Sequence, residues 1–234
     1  MPFLAVRDRQ PELMDDPALD PAEHRRALAG LARINRWSGS ARLLWPPVRD
    51  LARRLGRPLR LLDVATGSGD IPLAVWKLAR DAGLPLDITA LDLSPIAIET
   101  AARSAATLGA TVRFAVADAL ADPLPGGFDV VTCSLFLHHL DEPDAVKLLA
   151  KMAAAGNVVL VNDLTRSRLN YGLVWLAARL FSRSPVVHAD GPLSIRGAFT
   201  VAEMQRMADE AGMSGADVRA KFPCRMLLSW RKPE

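Results

Sequence analysis

Apolar and polar positions alternate along this chain in two different rhythms. Over residues 21–55, Leu28, Leu31, Ile34, Leu43, Leu44, Val48, Leu51 and Leu55 recur at helical spacings, which predicts an N-terminal helical region with one apolar face. Ser38-Gly39 and Pro46-Pro47 punctuate it and predict breaks there. Beyond Gly56 short apolar runs alternate with helical segments, the pattern of βαβ units around a mostly parallel sheet. Strands are predicted at 59–65, 86–91, 111–116, 128–134 and 157–162, with helices at 72–82, 95–108 and 141–155. Pro72 and Pro95 fall in first turns, where a missing N–H costs nothing.

The stretch 165–198 interrupts this alternation. An apolar segment at 169–181, broken by Arg179 and too short to span a bilayer, leads into a polar loop with Ser184-Pro185, His188, Asp190-Gly191-Pro192 and Arg196. Thr200 and Glu203 form a capping-box pair at the start of a helix that stops near Gly212. Strands at 216–222 and 225–230 are close enough to pair as a hairpin. Residues 1–20, with three prolines and several aspartates, read as irregular, and little chemistry is expected there. Right-handed crossovers then give an α/β, doubly wound sheet of about seven strands with a C-terminal hairpin and N-terminal helices.

At 234 residues the chain is long enough for a single sizeable core, and 50% hydrophobic with 24% charged residues excludes wholesale disorder and fibrous classes. The net charge of +3 is small but uneven: residues 1–60 hold 12 basic and 7 acidic side chains, residues 61–180 hold 9 and 13. A solvated helical face accounts for the basic end more simply than an anionic partner. Cys133 and Cys224 alone build neither a disulfide framework nor a four-ligand zinc site and suit a reducing compartment. Arg7 and Asp8 precede any apolar run of signal-peptide length. The expected location is therefore the cytoplasm.

The strongest local signal is LLDVATGSGDIP at 61–72, an apolar strand running into a glycine turn and a helix. Gly67 and Gly69 permit close approach of a ligand to the backbone at the strand's carboxyl end. Asp92 follows Gly69 by 23 residues, the interval at which a carboxylate meets a ribose. A dinucleotide fingerprint would place a third glycine where Pro72 stands, and Asp70 would repel a pyrophosphate. A nucleoside ligand with a cationic centre and no phosphate suits Asp63 and Asp70 better.

Together with ALDLSP at 90–95, the acidic turn Ala117-Asp118-Ala119 and FDVVTCS at 128–134, this loop makes an ordered set. Over 59–222 the chain resembles the class I S-adenosylmethionine-dependent methyltransferases, a Rossmann-like family, and DVATGSGDI is most similar to the ubiquinone and menaquinone biosynthesis C-methyltransferases. The resemblance implies S-adenosyl-L-methionine as cofactor and S-adenosyl-L-homocysteine as product. It implies that Asp63, Ala65, Gly67, Ser68 and Gly69 hold the methionine moiety, Asp92 the ribose and Leu93 the adenine face. Asp118 and the Ala119 backbone would meet the adenine amino edge, and Ser134 the sulfonium. Ala65 replaces a glycine seen in many relatives, a small-for-small change. Asn35, Ser38 and Trp45 fall where the quinone enzymes carry a helical segment over the site. The implied organisation is a helical cap at 1–56 and a cofactor-binding domain at 57–234, with 165–198 inserted as a substrate lid. No metal is expected, because no carboxylates and histidines cluster at ligand spacing in the sequence.

Methyl transfer depends mainly on positioning, with a base needed where the acceptor keeps its proton. His138 and His139 follow the fourth strand, close to the implied methyl, and His188 lies beside Asp190, which could orient its ring. These three are the candidate catalytic residues. Asp163, Arg196, Tyr171 and Trp175 are candidate substrate contacts, with Phe181 on the same apolar segment and Trp37 and Trp45 closing from the N-terminal helices. The expected substrate is a hydrophobic small molecule, a phenol, quinol or polyketide-derived ring methylated on oxygen or carbon. Methylation of nucleic acid or protein is the alternative, but no N/D-P-P-Y/F tetrad for a flipped base is present, so no nucleic acid partner is expected. A non-catalytic scaffold of the same fold is the third reading. Peripheral membrane contact suits the amphipathic segment, and both monomer and homodimer are compatible with the sequence.

Overall fold

The computed structural model describes residues 4–16 and 18–233. Seven strands form one sheet in the order β3-β2-β1-β4-β5-β7-β6. They are β1 (Leu59–Val64), β2 (Leu86–Asp92), β3 (Val112–Val116), β4 (Phe128–Ser134), β5 (Gly156–Leu164), β6 (Asp217–Lys221) and β7 (Arg225–Arg231). β1 to β5 pair in parallel, and β7 inserts antiparallel between β5 and β6. The expected C-terminal hairpin is therefore present, with its second strand joined to β5 and its first strand at the sheet edge.

The central strands read as near-continuous apolar runs because both faces are covered. Leu62, Val131 and Val159 point into a core with Leu148, Met152 and Met204, from α5 (Glu142–Ala155) and α8 (Val201–Glu210). Their neighbours Leu61, Val130 and Leu160 point to the opposite face, against Leu44, Val48 and Val75, from α2 (Ser40–Leu55) and α3 (Asp70–Asp81). The remaining helices are α1 (Pro21–Ser38), α4 (Pro95–Leu108), α6 (Arg168–Phe181) and α7 (Pro185–Gly197). Asp20 caps α1 by accepting from the Ala22 and Glu23 N–H groups, and Gly39 ends it with φ 72°. Thr200 and Glu203 form the expected capping box.

Two local expectations are corrected. The helix α2 runs through Pro46 and Pro47 without ending. An interior proline costs about 3 kcal/mol, and burial of Leu44, Val48 and Ala52 against the sheet outweighs it. The polar loop expected after 181 is instead α7, although Asp190-Gly191-Pro192 reads locally as a turn. Val186, Val187 and Ile195 are buried, and Gly191 lets α7 lie close on α6: a Cβ there would stand 3.2 Å from Val174 Cγ1.

The order β2-β1-β4-β5 places the switch point of the winding between β1 and β4. Ligands of open α/β sheets bind beyond the strand ends at such a point.

Candidate active site

Beyond β1 the backbone turns back on itself, with Ala65, Gly67 and Gly69 all in the left-handed region (φ 55°, 57° and 69°). A Cβ on Gly67 would meet nothing within 4 Å, whereas one on Gly69 would stand 2.9 Å from Ala101 Cβ on α4. Gly69 thus lets α3 and α4 approach, and Gly67 leaves open space above the turn. Asp92 ties this turn to β2: one carboxylate oxygen accepts the Gly67 N–H at 2.7 Å and the other the Ser94 N–H at 2.8 Å.

The floor of the site is acidic. Asp63 accepts from Thr132 Oγ1 at 2.6 Å; burial, with the charges of Asp70 and Asp92, pushes it up to about 6 against the bonds it accepts. Burial also raises Asp70, which accepts from Asn35 Nδ2 at 3.1 Å and Ser68 Oγ at 3.2 Å, and it raises Asp92. Asn35 in turn accepts from Arg225 Nη2 at 3.2 Å, and burial lowers that guanidinium to about 10.

A cavity of about 990 Å³ opens over this floor. Asp63, Ala65, Gly67, Ser68, Asp92, Leu93, Asp118, Ala119 and Ser134 all line it, so the ordered motif set converges on one space. Gly69 does not line it and acts through helix packing. Asp118 Oδ1 accepts the Leu120 and Ala121 N–H groups, shaping the turn after β3. The buried hydroxyl of Ser134 has no hydrogen-bond partner among the described residues and stands on the cavity wall. An unsatisfied hydroxyl and raised carboxylates around one cavity fit a polar ligand with a cationic centre, which is the chemistry of S-adenosylmethionine.

After β4, Leu137–His139 form a 3-10 turn that presents two imidazoles to the cavity. His138 is buried, with its Nδ1 2.6 Å from Asp163 Oδ1. His139 Nδ1 lies 3.0 Å from Asp15 Oδ2. Burial lowers the His139 pKa, but the Asp15 bond and the charges of Glu12 and Asp15 outweigh it and raise it to about 9.

Several candidates stand elsewhere. The ring of His188 bonds the Ser182 carbonyl at 2.8 Å and does not line the cavity. Its expected partner Asp190 instead accepts the Leu13 and Met14 N–H groups. Arg196 pairs with Asp8, and neither it nor Tyr171 nor Trp175 lines the cavity. The Trp175 ring lies under Arg179, 3.9 Å away. Asp163 reaches the cavity only through His138. Trp37 does line it, its ring 4.9 Å from Phe181.

The N-terminal segment, expected to hold little chemistry, supplies Glu12 and Asp15 to the cavity wall. Arg7 pins it by donating to the carbonyls of Gly197 (2.6 Å), His138 (3.0 Å) and Leu140 (2.6 Å). The available signal was the run Glu12, Asp15, Asp16 behind Arg7 and Arg9. The expectation that carboxylates and histidines would not cluster is also corrected: Glu12, His138 and His139 bring ligand-type atoms within 4.8 Å of one another.

Residues 61–156 match the family described as "Methyltransferase domain". The chain is 36% identical over 121 residues to a demethylmenaquinone methyltransferase of Thermus thermophilus, covering 50% of this chain and 53% of the relative. It is 34% identical over 127 residues to a ubiquinone biosynthesis O-methyltransferase of Methylococcus capsulatus, covering 53% and 51%. The alignments thus span about half the length of these relatives. Among solved structures, the S-adenosylmethionine-dependent methyltransferase SibL superposes over 97% of this chain and 64% of its own (TM-score 0.65, 21% identity). An O-methyltransferase from neocarzinostatin biosynthesis, bound to S-adenosylmethionine and 2-hydroxy-5-methyl naphthoic acid, superposes over 74% and 49% (TM-score 0.54, 26% identity). Residues 61–156 thus match a methyltransferase domain, and the sheet with its glycine turn is a fold shared with S-adenosylmethionine-dependent methyltransferases of known structure. In sequence the chain is similar, over about half its length, to the ubiquinone and menaquinone biosynthesis methyltransferases.

Proposed function

We propose that the protein transfers a methyl group from S-adenosylmethionine to a hydrophobic small molecule with an ionisable hydroxyl, a phenol, quinol or polyketide-derived ring, on oxygen or carbon. The observation that carries this reading is the continuity of one cavity. Its polar end is the acidic floor and glycine turn, and its other end is an apolar chamber walled by Leu28, Leu31, Ile34, Leu173, Leu180 and Phe181. A site with a few placed polar groups and a broad apolar wall suits a ring-sized ligand.

Asp63, the turn over 65–69, Asp92, Leu93, Asp118, Ala119 and Ser134 are the residues that would hold the cofactor. When bound, it supplies an electrophilic methyl on a sulfonium centre. The helices α1, α6 and α7 then serve as cap and lid: they exclude water and orient the acceptor, which contributes through proximity. The acceptor's hydroxyl would face His138 and His139, where a proton can be taken up or held. Relatives and neighbours whose names specify ubiquinone or naphthoic acid chemistry support an aromatic acceptor. Among the described residues no helix is long and apolar enough to cross a membrane.

Calorimetric titration with S-adenosylhomocysteine, on the wild type and on Asp92→Ala, tests this reading. The expected result is binding that the substitution weakens by about 1.5–3 kcal/mol, the worth of a hydrogen bond to a charged group. An absence of binding in the wild type overturns the proposal.

A further inference from the structure

We propose that Glu12, His138 and His139 bind a divalent transition-metal ion of the zinc class, with an oxygen of the acceptor as its outer ligand. Only that last clause rests on the methyltransferase reading above. The ion site itself rests on the side chains.

Glu12 Oε1 stands 4.0 Å from His138 Nε2 and 4.0 Å from His139 Nδ1, and all three atoms lie within 4.8 Å of one another. Metal–ligand bonds of about 2.0–2.2 Å need only a slight inward movement of these atoms. The carboxylate comes from a segment more than a hundred residues away from the histidines, so helical or strand periodicity does not explain the meeting. Arg7 and Asp190 fasten that segment from both sides of Glu12.

Two of the ligands, His138 and Glu12, have a partner that orients them, as ligating groups commonly do. Asp163 holds His138 Nδ1 at 2.6 Å, leaving Nε2 directed at the cluster. Ser194 Oγ donates to Glu12 Oε1 at 2.7 Å. Asp15 Oδ2 lies 3.0 Å from His139 Nδ1. Metal binding replaces any proton on His139 Nδ1, which leaves to solvent, and the Asp15 carboxylate is then adjacent as a further oxygen donor.

Two imidazole nitrogens and one carboxylate oxygen suit a zinc-class ion more than magnesium or calcium, which favour all-oxygen shells. Three protein ligands facing a cavity leave a coordination position open. An acceptor hydroxyl bound there becomes more acidic and releases its proton to solvent, leaving the oxygen anionic. The cation would then perform the task expected of a free histidine base.

The test is titration of chelator-treated, full-length protein with zinc chloride by calorimetry, with metal content measured by elemental analysis. Wild type, Glu12→Gln and His139→Ala are compared, and each is titrated separately with S-adenosylhomocysteine. One ion per chain is expected, with affinity at least tenfold weaker in either variant and S-adenosylhomocysteine affinity within about twofold of wild type. That retained affinity also shows the variants to be folded. No stoichiometric zinc binding by the wild type, or binding unchanged in both folded variants, overturns the ion site and means that the cluster is a hydrogen-bonded network. Zinc binding without S-adenosylhomocysteine binding would sustain the ion site and overturn the methyltransferase reading instead.

Discussion

Asp163 holds His138 by two bonds: Oδ1 lies 2.6 Å from the ring Nδ1, and Oδ2 accepts the His138 backbone N–H at 3.1 Å. Burial opposes ionisation of this carboxylate, but the charge and hydrogen bond of His138 and the Leu164 N–H outweigh it and hold the pKa below the usual range. An ionised carboxylate only accepts, so Nδ1 carries a proton, and Nε2 faces Glu12 at 4.0 Å. Asp163 is in this sense a positioning residue. Replacing it by asparagine removes the charge and weakens the hold on the ring. Asp163→Asn should lower kcat by roughly 10–100-fold, the usual effect of losing an outer partner of a ligating histidine, while leaving the affinity for S-adenosylhomocysteine unchanged. Equal loss of both would mean that the pair supports the fold alone.

Trp37 and Phe181 form a ring contact at the edge of the apolar chamber, with centroids 4.9 Å apart. An acceptor ring packed against Trp37 would make a contact of the same kind, worth about 0.5–1.5 kcal/mol, which corresponds to roughly 2–10-fold in affinity. Trp37→Ala should raise KM for an aromatic acceptor by that factor with kcat and S-adenosylhomocysteine binding unchanged. Steady-state kinetics at saturating S-adenosylmethionine would separate these terms.

The two glycines of the turn make different demands. At Gly67 an added methyl meets open space, at Gly69 it meets Ala101 at 2.9 Å, and both have positive φ. Gly69→Ala combines backbone strain with overpacking, each of order 1–3 kcal/mol, so its thermal midpoint should fall clearly further than that of Gly67→Ala. Gly67→Ala should instead show its main effect on S-adenosylhomocysteine affinity, because the added group enters the cavity.

The parts of this architecture that sequence made legible were those governed by local periodicity. Strand β4 and helix α4 begin and end where the apolar pattern predicts, because a continuous run buried on both faces and a Ser94-Pro95 start are local signals. The glycine turn with Asp92 was legible for the same reason. What escaped were contacts decided by tertiary packing: α2 passing through two prolines, Gly191 serving as a packing position in α7, and above all the segment carrying Glu12 and Asp15. That segment has no regular pattern of its own. It is ordered by the bonds of its own Arg7 to the Gly197, His138 and Leu140 carbonyls and by the Asp190 carboxylate, partners more than a hundred residues away. His188 and Arg196 had the chemistry of site residues, but α7 directs them to Ser182 and Asp8.

Asp63 provides a pH test of the acidic floor. Its carboxyl is buried at the end of β1, accepts from Thr132, and titrates at about 6 rather than near 4 because burial and the neighbouring Asp70 and Asp92 disfavour its charge. A folded-state pKa raised above the unfolded one means that the native protein binds this proton more tightly. The associated stability is fully present below about pH 4 and is lost as pH rises through about 6. Asp63→Asn keeps an oxygen to accept from Thr132 and cannot ionise, so its stability lacks this component. The thermal midpoint of the ligand-free wild type should therefore fall relative to Asp63→Asn between pH 4.5 and pH 7.5, values chosen to lie about this titration. Comparing the two proteins removes the parallel contribution of Asp190, also raised to about 6 by burial and present in both. Saturating S-adenosylmethionine should narrow the gap at the higher pH, because a cationic ligand favours the ionised carboxylate. Midpoints that run parallel across this range without ligand would show that Asp63 is ionised in the native state without penalty, and that the floor is solvated rather than buried.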